Sequence, residues 1–189
     1  MRFMRPGCSM AEFAIETPRL RLRAWSQDDL QPLHAICNDP LVMRFLGPHR
    51  SEAEIEQLVI RQQALQTDFG HCFWAVERRE DKGMIGCCGL MPGPAQTPLE
   101  GKIEIGWRLA SDCWGNGYAR DAAMAALAWG WANLDVADIW AITVQANERS
   151  WGLMQRLGMT RHDDLDFDHP NVPDESPLKR HITWSISRG

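Results

Sequence analysis

The most chemically pointed spacing in the chain is Gly115-Asn116-Gly117, set between an alternating segment, Lys102 to Leu109, and an Ala-rich run from Ala119 to about Leu134. A strand that leads through two glycines into a helix lets the backbone approach a ligand closely, and the first helical turn offers unpaired N–H groups. Amides and helix dipole together suit a phosphate or pyrophosphate. A plain strand-to-helix turn has the same spacing, so Gly-x-Gly alone leaves both readings open.

Known nucleotide sites can be tested residue by residue. A P-loop needs Gly-Lys-Ser/Thr, whereas Gly117 is followed by Tyr118-Ala119. A dinucleotide fingerprint needs a third glycine where Arg120 stands and an acid at the end of the next strand, which closes on Gln145. Both fail. Farther on, Asp164, Asp166, Asp168 and Glu175 fall at positions one, three, five and twelve of a calcium loop. His169 replaces the required glycine and Pro170 and Pro173 stiffen the turn, so the segment reads as a solvated or substrate-facing loop. His162, His169 and His181 lack paired metal spacing, and no metal is expected.

The elements that must position the loop follow from periodicity. Leu20, Leu22 and Ala24 alternate with arginines as a half-buried strand. Ser26-Gln-Asp-Asp29 and Ser51-Glu-Ala-Glu54 are capping-box starts of two helices, with a short apolar stretch, Leu41 to Leu46, between them. Phe73–Arg78 and Met84–Leu90 form a hairpin across Asp81-Lys82-Gly83. Lys102–Leu109 is a strand, Ala137–Val144 another, and Asn147–Leu157 a helix closed by Gly158. A short strand at Met159–Arg161 precedes an acidic irregular segment, Asp163 to Glu175, and His181–Ile186 is the last strand. This predicts one α/β domain over 14–189 with a mixed sheet of six or seven strands, behind a flexible leader over 1–13 in which Met10 is an alternative start.

The glycine loop resembles the acetyl-CoA pyrophosphate loop of the GNAT superfamily, with signature Gln/Arg-x-x-Gly-x-Gly/Ala. Here it stands as Asp112-Cys-Trp114-Gly115-Asn116-Gly117, then Tyr118-Ala119, and Asp112 departs from the usual residue. Glu104-Ile-Gly-Trp107 is similar to the RimJ/RimL-like branch, as is the opening Thr17-Pro-Arg-Leu-Arg-Leu-Arg23. A second motif, Asn147-Glu-Arg-Ser150 followed by Leu157-Gly158-Met159, resembles the family's Asn-x-x-Ser…Leu-Gly-Phe. The likeness covers about residues 16 to 187.

That resemblance implies a twisted sheet whose fourth and fifth strands, Lys102–Leu109 and Ala137–Val144, splay into a V. Pantetheine would enter it along Trp107, Arg108 and Leu109. Pyrophosphate would sit on Gly115, Asn116, Gly117, Tyr118 and Ala119, with Trp114 at the cofactor edge or packed under the loop, and Asn147 as a polar pantetheine contact. An amine would attack the thioester directly, which requires a base, a polarised carbonyl and a proton for the thiolate. Glu104 is the candidate base, against the reading of an outward strand glutamate paired with Lys or Arg. Ser150 is the candidate acid, against a local backbone bond, because the lone tyrosine of the chain is Tyr118 in the loop. A peptide or protein N-terminus is the leading acceptor. A small amine such as an amino acid, polyamine or antibiotic, and a non-catalytic acetyl-CoA-binding module, are the alternatives.

Bulk composition agrees. At 189 residues and 44% hydrophobic, the chain can bury a core without staples. Net charge −5 argues against a phosphate-neutralising nucleic-acid binder, and no apolar run reaches bilayer length. Cys8, Cys37, Cys72, Cys87, Cys88 and Cys113 include no C-x-x-C pair and read as reduced thiols of a cytoplasmic protein. The nine tryptophans read mainly as packing. Monomer and homodimer are both compatible with the sequence.

Overall fold

The computed structural model describes residues 13–189. The expected leader and Cys8 therefore lie outside the described residues, save Phe13, whose ring stacks on Trp74 at 4.9 Å.

Among the described residues, eight strands form one mixed sheet. A short β1 (Ala14–Glu16) pairs with β2 (Leu20–Arg23). Leucines of β2 point to the core and its arginines outward, as the alternation predicts. Ser26 caps a 3-10 turn, Gln27–Asp29, that runs into α1 (Leu30–Ile36). The apolar stretch expected at Leu41–Leu46 begins as a helix, α2 (Pro40–Met43), because the Asp39 side chain accepts from Leu41 N and Pro40 occupies the first turn. The second capping box forms as read, with Ser51 and Glu54 bonding reciprocally at the start of α3 (Glu52–Phe69).

Then come β3 (Phe73–Arg78), β4 (Met84–Pro92), β5 (Ile103–Leu109), α4 (Tyr118–Asn133), β6 (Asp138–Val144), α5 (Glu148–Arg156), β7 (Thr160–Asp168) and β8 (Arg180–Ser187). Their order in the sheet is β1-β2-β3-β4-β5-β6-β8-β7. Two corrections concern the strands. The count is eight, because the three-residue β1 gives too little alternation to read from sequence. The acidic segment is irregular only after Asp168, since Thr160–Asp168 pairs with β8 across a register shift between His162 and Phe167. Asp163, Asp164, Asp166 and Asp168 therefore lie along a strand, and only Asp174 and Glu175 fall in the loop after it.

Every pairing is antiparallel except β5 with β6, whose crossover is α4. α4 lies against β4 and β5, while α1 packs on α3 and β4. The two sets occupy opposite faces, because successive strand residues alternate. Leu90 lies against α4 at Gly130, whereas its neighbour Met91 lines a cavity under α3. The core between them includes Trp74, Leu90, Ile105 and Ile139, all essentially buried. Cys37, Cys72, Cys87, Cys88 and Cys113 are buried free thiols.

Candidate active site

The parallel pair that should frame the site is very short. β5 and β6 match only at Ile103↔Ile139 and Glu104↔Trp140. Beyond that point β5 still follows β4 to Leu109, and β6 still follows β8 to Val144. The two strands thus part company at Glu104, leaving the β6-facing backbone edge of β5 without a strand partner. At about 3.3 Å per residue, the opening is roughly 13 Å deep from Trp140 to Val144.

The glycine loop stands at the open end. Gly115 and Gly117 have φ of 79° and 81°, the left-handed region where a side chain is strained. That turn leaves the backbone N–H groups of residues 115–120 donating to no acceptor among the described residues; the first amide to pair is Asp121 N, on the Gly117 carbonyl. Arg19, just before β2, braces the loop. Its guanidinium bonds the Asn116 carbonyl and the Asp121 carboxylate, each at 2.8 Å, and lies over the Tyr118 ring. Alternation along this segment gives no sign of that role; only the tertiary fold brings Arg19 to the loop.

Trp114 is partly buried and packs against the core. Its indole N–H donates to the Leu109 carbonyl at 2.9 Å and Arg149 covers its ring at 4.9 Å, so it ties the loop to the end of β5. Leu109 is buried in the core, and Trp107 packs partly buried on the α4 side.

Glu104 sits at the vertex of the opening, between Met91 on β4 and Trp140 on β6. It is half-buried, and its carboxylate makes no ion pair or hydrogen bond among the described residues. The outward ion-paired glutamate is therefore not what forms. Burial without a compensating cation pushes its carboxyl up to about 7. Trp140 beside it carries the Lys102 ammonium over its ring at 3.6 Å and the His162 ring at 5.0 Å. Gly106 makes room for Phe73, since a Cβ there would stand 2.6 Å from that ring.

Asn147 caps α5 just past the open end of β6, and its amide donates to Thr143 Oγ1 at 3.1 Å. Ser150, half-buried in the first turn of α5, has a hydroxyl with no hydrogen bond among the described residues. Its backbone N–H bonds the Asn147 carbonyl. Glu104, on β5, and Ser150, in the first turn of α5, thus stand at the two ends of the opening. The Arg108 side chain turns away from the opening, onto the α1–α3 face, where it donates to Cys37 Sγ at 2.9 Å.

Among the described residues no group of three or more His, Cys, Asp or Glu could hold a metal ion, and no helix is long and apolar enough to cross a membrane. A pyrophosphate fits the unpaired amides of 115–120, and an extended polar chain fits the open edge of β5.

Comparison with known proteins bears on this geometry. Residues 19–160 match the acetyltransferase (GNAT) domain. The N-acetyltransferase YoaA of Bacillus subtilis, itself uncharacterised, is 29% identical over 150 residues, covering 78% of this chain and 82% of that protein. RimL, the ribosomal L7/L12 alpha-N-protein acetyltransferase, matches in structure with TM-score 0.76 and 16% identity, over 93% of this chain and 94% of its own. The spermidine N-acetyltransferase of Vibrio cholerae, solved with CoA and spermine, matches at TM-score 0.70 and 20% identity, over 90% and 96%. At such identities the two structures share the fold.

Proposed function

Since the chain belongs to the GNAT family of acetyltransferases, we propose that it is an acetyl-CoA-dependent N-acetyltransferase whose acceptor is a protein or peptide N-terminus. The observation that carries this is the β5–β6 pair that opens after Glu104, with unpaired amides of 115–120 at its open end. These amides, at the start of α4, hold the pyrophosphate. The free edge of β5 pairs with the pantetheine amides along Trp107, Arg108 and Leu109, and Asn147 faces the same arm. Acetyl-CoA, when bound, supplies the acetyl group as a thioester.

The residues of the chain then divide the work. Glu104 takes a proton from the incoming ammonium, directly or through a water. Near pH 7 its carboxyl is split between its two forms, which suits a base that must also release the proton. A backbone N–H of Gly106 or Trp107 donates to the carbonyl oxygen as charge builds there. Ser150 delivers a proton to the departing thiolate. The acceptor assignment draws support from the RimL-like opening and loop of the sequence; the spermidine enzyme among the structural neighbours makes a small amine the competing acceptor.

The test is a panel of peptides and small amines incubated with protein and acetyl-CoA, reading released CoA thiol and product mass. Acetylation at peptide α-amines is the expected result. Turnover of polyamines alone would replace the acceptor, and tight acetyl-CoA binding without any acetylated product would overturn the enzymatic reading.

A further inference from the structure

A second cavity-forming feature lies on the α3 side of the sheet, next to the vertex. It has a volume of about 510 Å³ and includes Phe73, Met91 and Leu58 together with Arg50, Arg61 and Arg108. Met91 is the cross-strand neighbour of Glu104, so the cavity begins one residue from the candidate base.

None of its three arginines forms an ion pair among the described residues, although Arg50 is near enough to the Glu54 carboxylate to help hold its carboxyl down, after the Ser51 bonds. Arg108 uses one N–H on the Cys37 sulfur, and the Nε atoms of Arg108 and Arg50 are buried without a hydrogen-bond partner. The one acid on the cavity wall, Glu54, is engaged by the Ser51 N–H and hydroxyl in the α3 capping box. A guanidinium is costly to desolvate unpaired, and its fork matches a carboxylate or phosphate. Elsewhere in this molecule arginines find partners readily, as Arg23 does with Asp29 and Glu77.

We propose that this cavity is the acceptor site and selects amines whose own molecule is anionic, its arginines holding a carboxylate while the amine reaches Glu104. The inference rests on the acetyltransferase reading above. Along β5 the Cα atoms of Glu104 and Arg108 are separated by roughly 13 Å, about four extended residues. A peptide with Asp or Glu in its first few positions spans that distance. A polyamine would bring cations to three unpaired arginines, and is disfavoured.

The experiment compares two tetrapeptides with the same first residue, one continuing with glutamates and one with lysines, alongside free glutamate and spermidine. The acidic peptide should show a KM lower than the lysine peptide by roughly tenfold or more, at similar kcat. Salt should shrink that ratio, since the screening length falls from about 10 Å at 0.1 M to about 3 Å at 1 M. Arg61→Gln, on the exposed surface of α3, should reduce the preference by raising KM for the acidic peptide only. Preference for free glutamate over the acidic peptide would keep the anionic chemistry and assign it to a small molecule. Equal use of both peptides, or better use of spermidine, would overturn the inference while leaving acetyl transfer intact. Acetylation of none of the four would instead contradict both.

Discussion

At the scale of residues, Glu104 concentrates the chemistry because its carboxylate, at the vertex, has neither a cation nor a hydrogen bond among the described residues. A carboxyl raised by burial favours its neutral form in the folded state. Its cost to stability therefore grows as pH rises from about 4.5 towards 7 and is complete above that. Glu104→Gln removes the cost, so the variant should be more stable than the parent at pH 8, by on the order of 1–3 kcal/mol, with little difference at pH 4.5. Paired urea titrations at the two pH values check this. Ser150→Ala should lower kcat by about tenfold or less, because a thiolate leaves readily and water can protonate it; a loss of a thousandfold would make the hydroxyl more central than proposed. The loop glycines were legible in sequence because positive φ demands that residue type. Arg19 was not, because its role depends on a partner about a hundred positions away in the chain, Asn116.

At the scale of elements, the opening between β5 and β6 depends on both strands keeping their outer partners while losing each other. Strand identities and the order of the α/β units could be read from alternation, capping boxes and Gly158, whose φ is 81°. The splay could not be read from periodicity, since strand residues alternate whether or not they pair. It entered only through family resemblance. Arg19→Ala should loosen the loop without unfolding the protein, as exposed pairs contribute roughly 0–1 kcal/mol. The expected result is CoA affinity lowered by about threefold to tenfold in calorimetry, with Tm nearly unchanged. Gly117→Ala, which forces a side chain into left-handed backbone and towards Arg19, should cost about 1–2 kcal/mol and weaken CoA further.

At the scale of the molecule, bulk charge and local charge point in opposite directions. A net −5 chain would weakly attract cations, yet the cavity beside the vertex is lined by three unpaired arginines. Sequence composition carries the first fact and folding alone creates the second, because Arg50 and Arg61, just before and within α3, meet Arg108 of β5 only in the folded chain. The fold also rests on a buried charge cluster. Asp29, essentially buried, would have its carboxyl raised by burial, but bonds from Arg23 and Ser26 hold it below the usual range. A depressed carboxyl stabilises the fold above its unfolded value and loses that contribution as pH falls through the folded value. Asp29→Asn should therefore cost about 3 kcal/mol near pH 7, with the gap to the parent closing below about pH 4, as read by urea unfolding. The most direct test of the account as a whole is the pH dependence of kcat/KM for acetyl transfer in the parent and in Glu104→Gln. The account predicts a parent rate that rises through about pH 7, and a variant slower by about 10²- to 10⁴-fold that lacks this limb. A variant that keeps both the rate and the limb would contradict it.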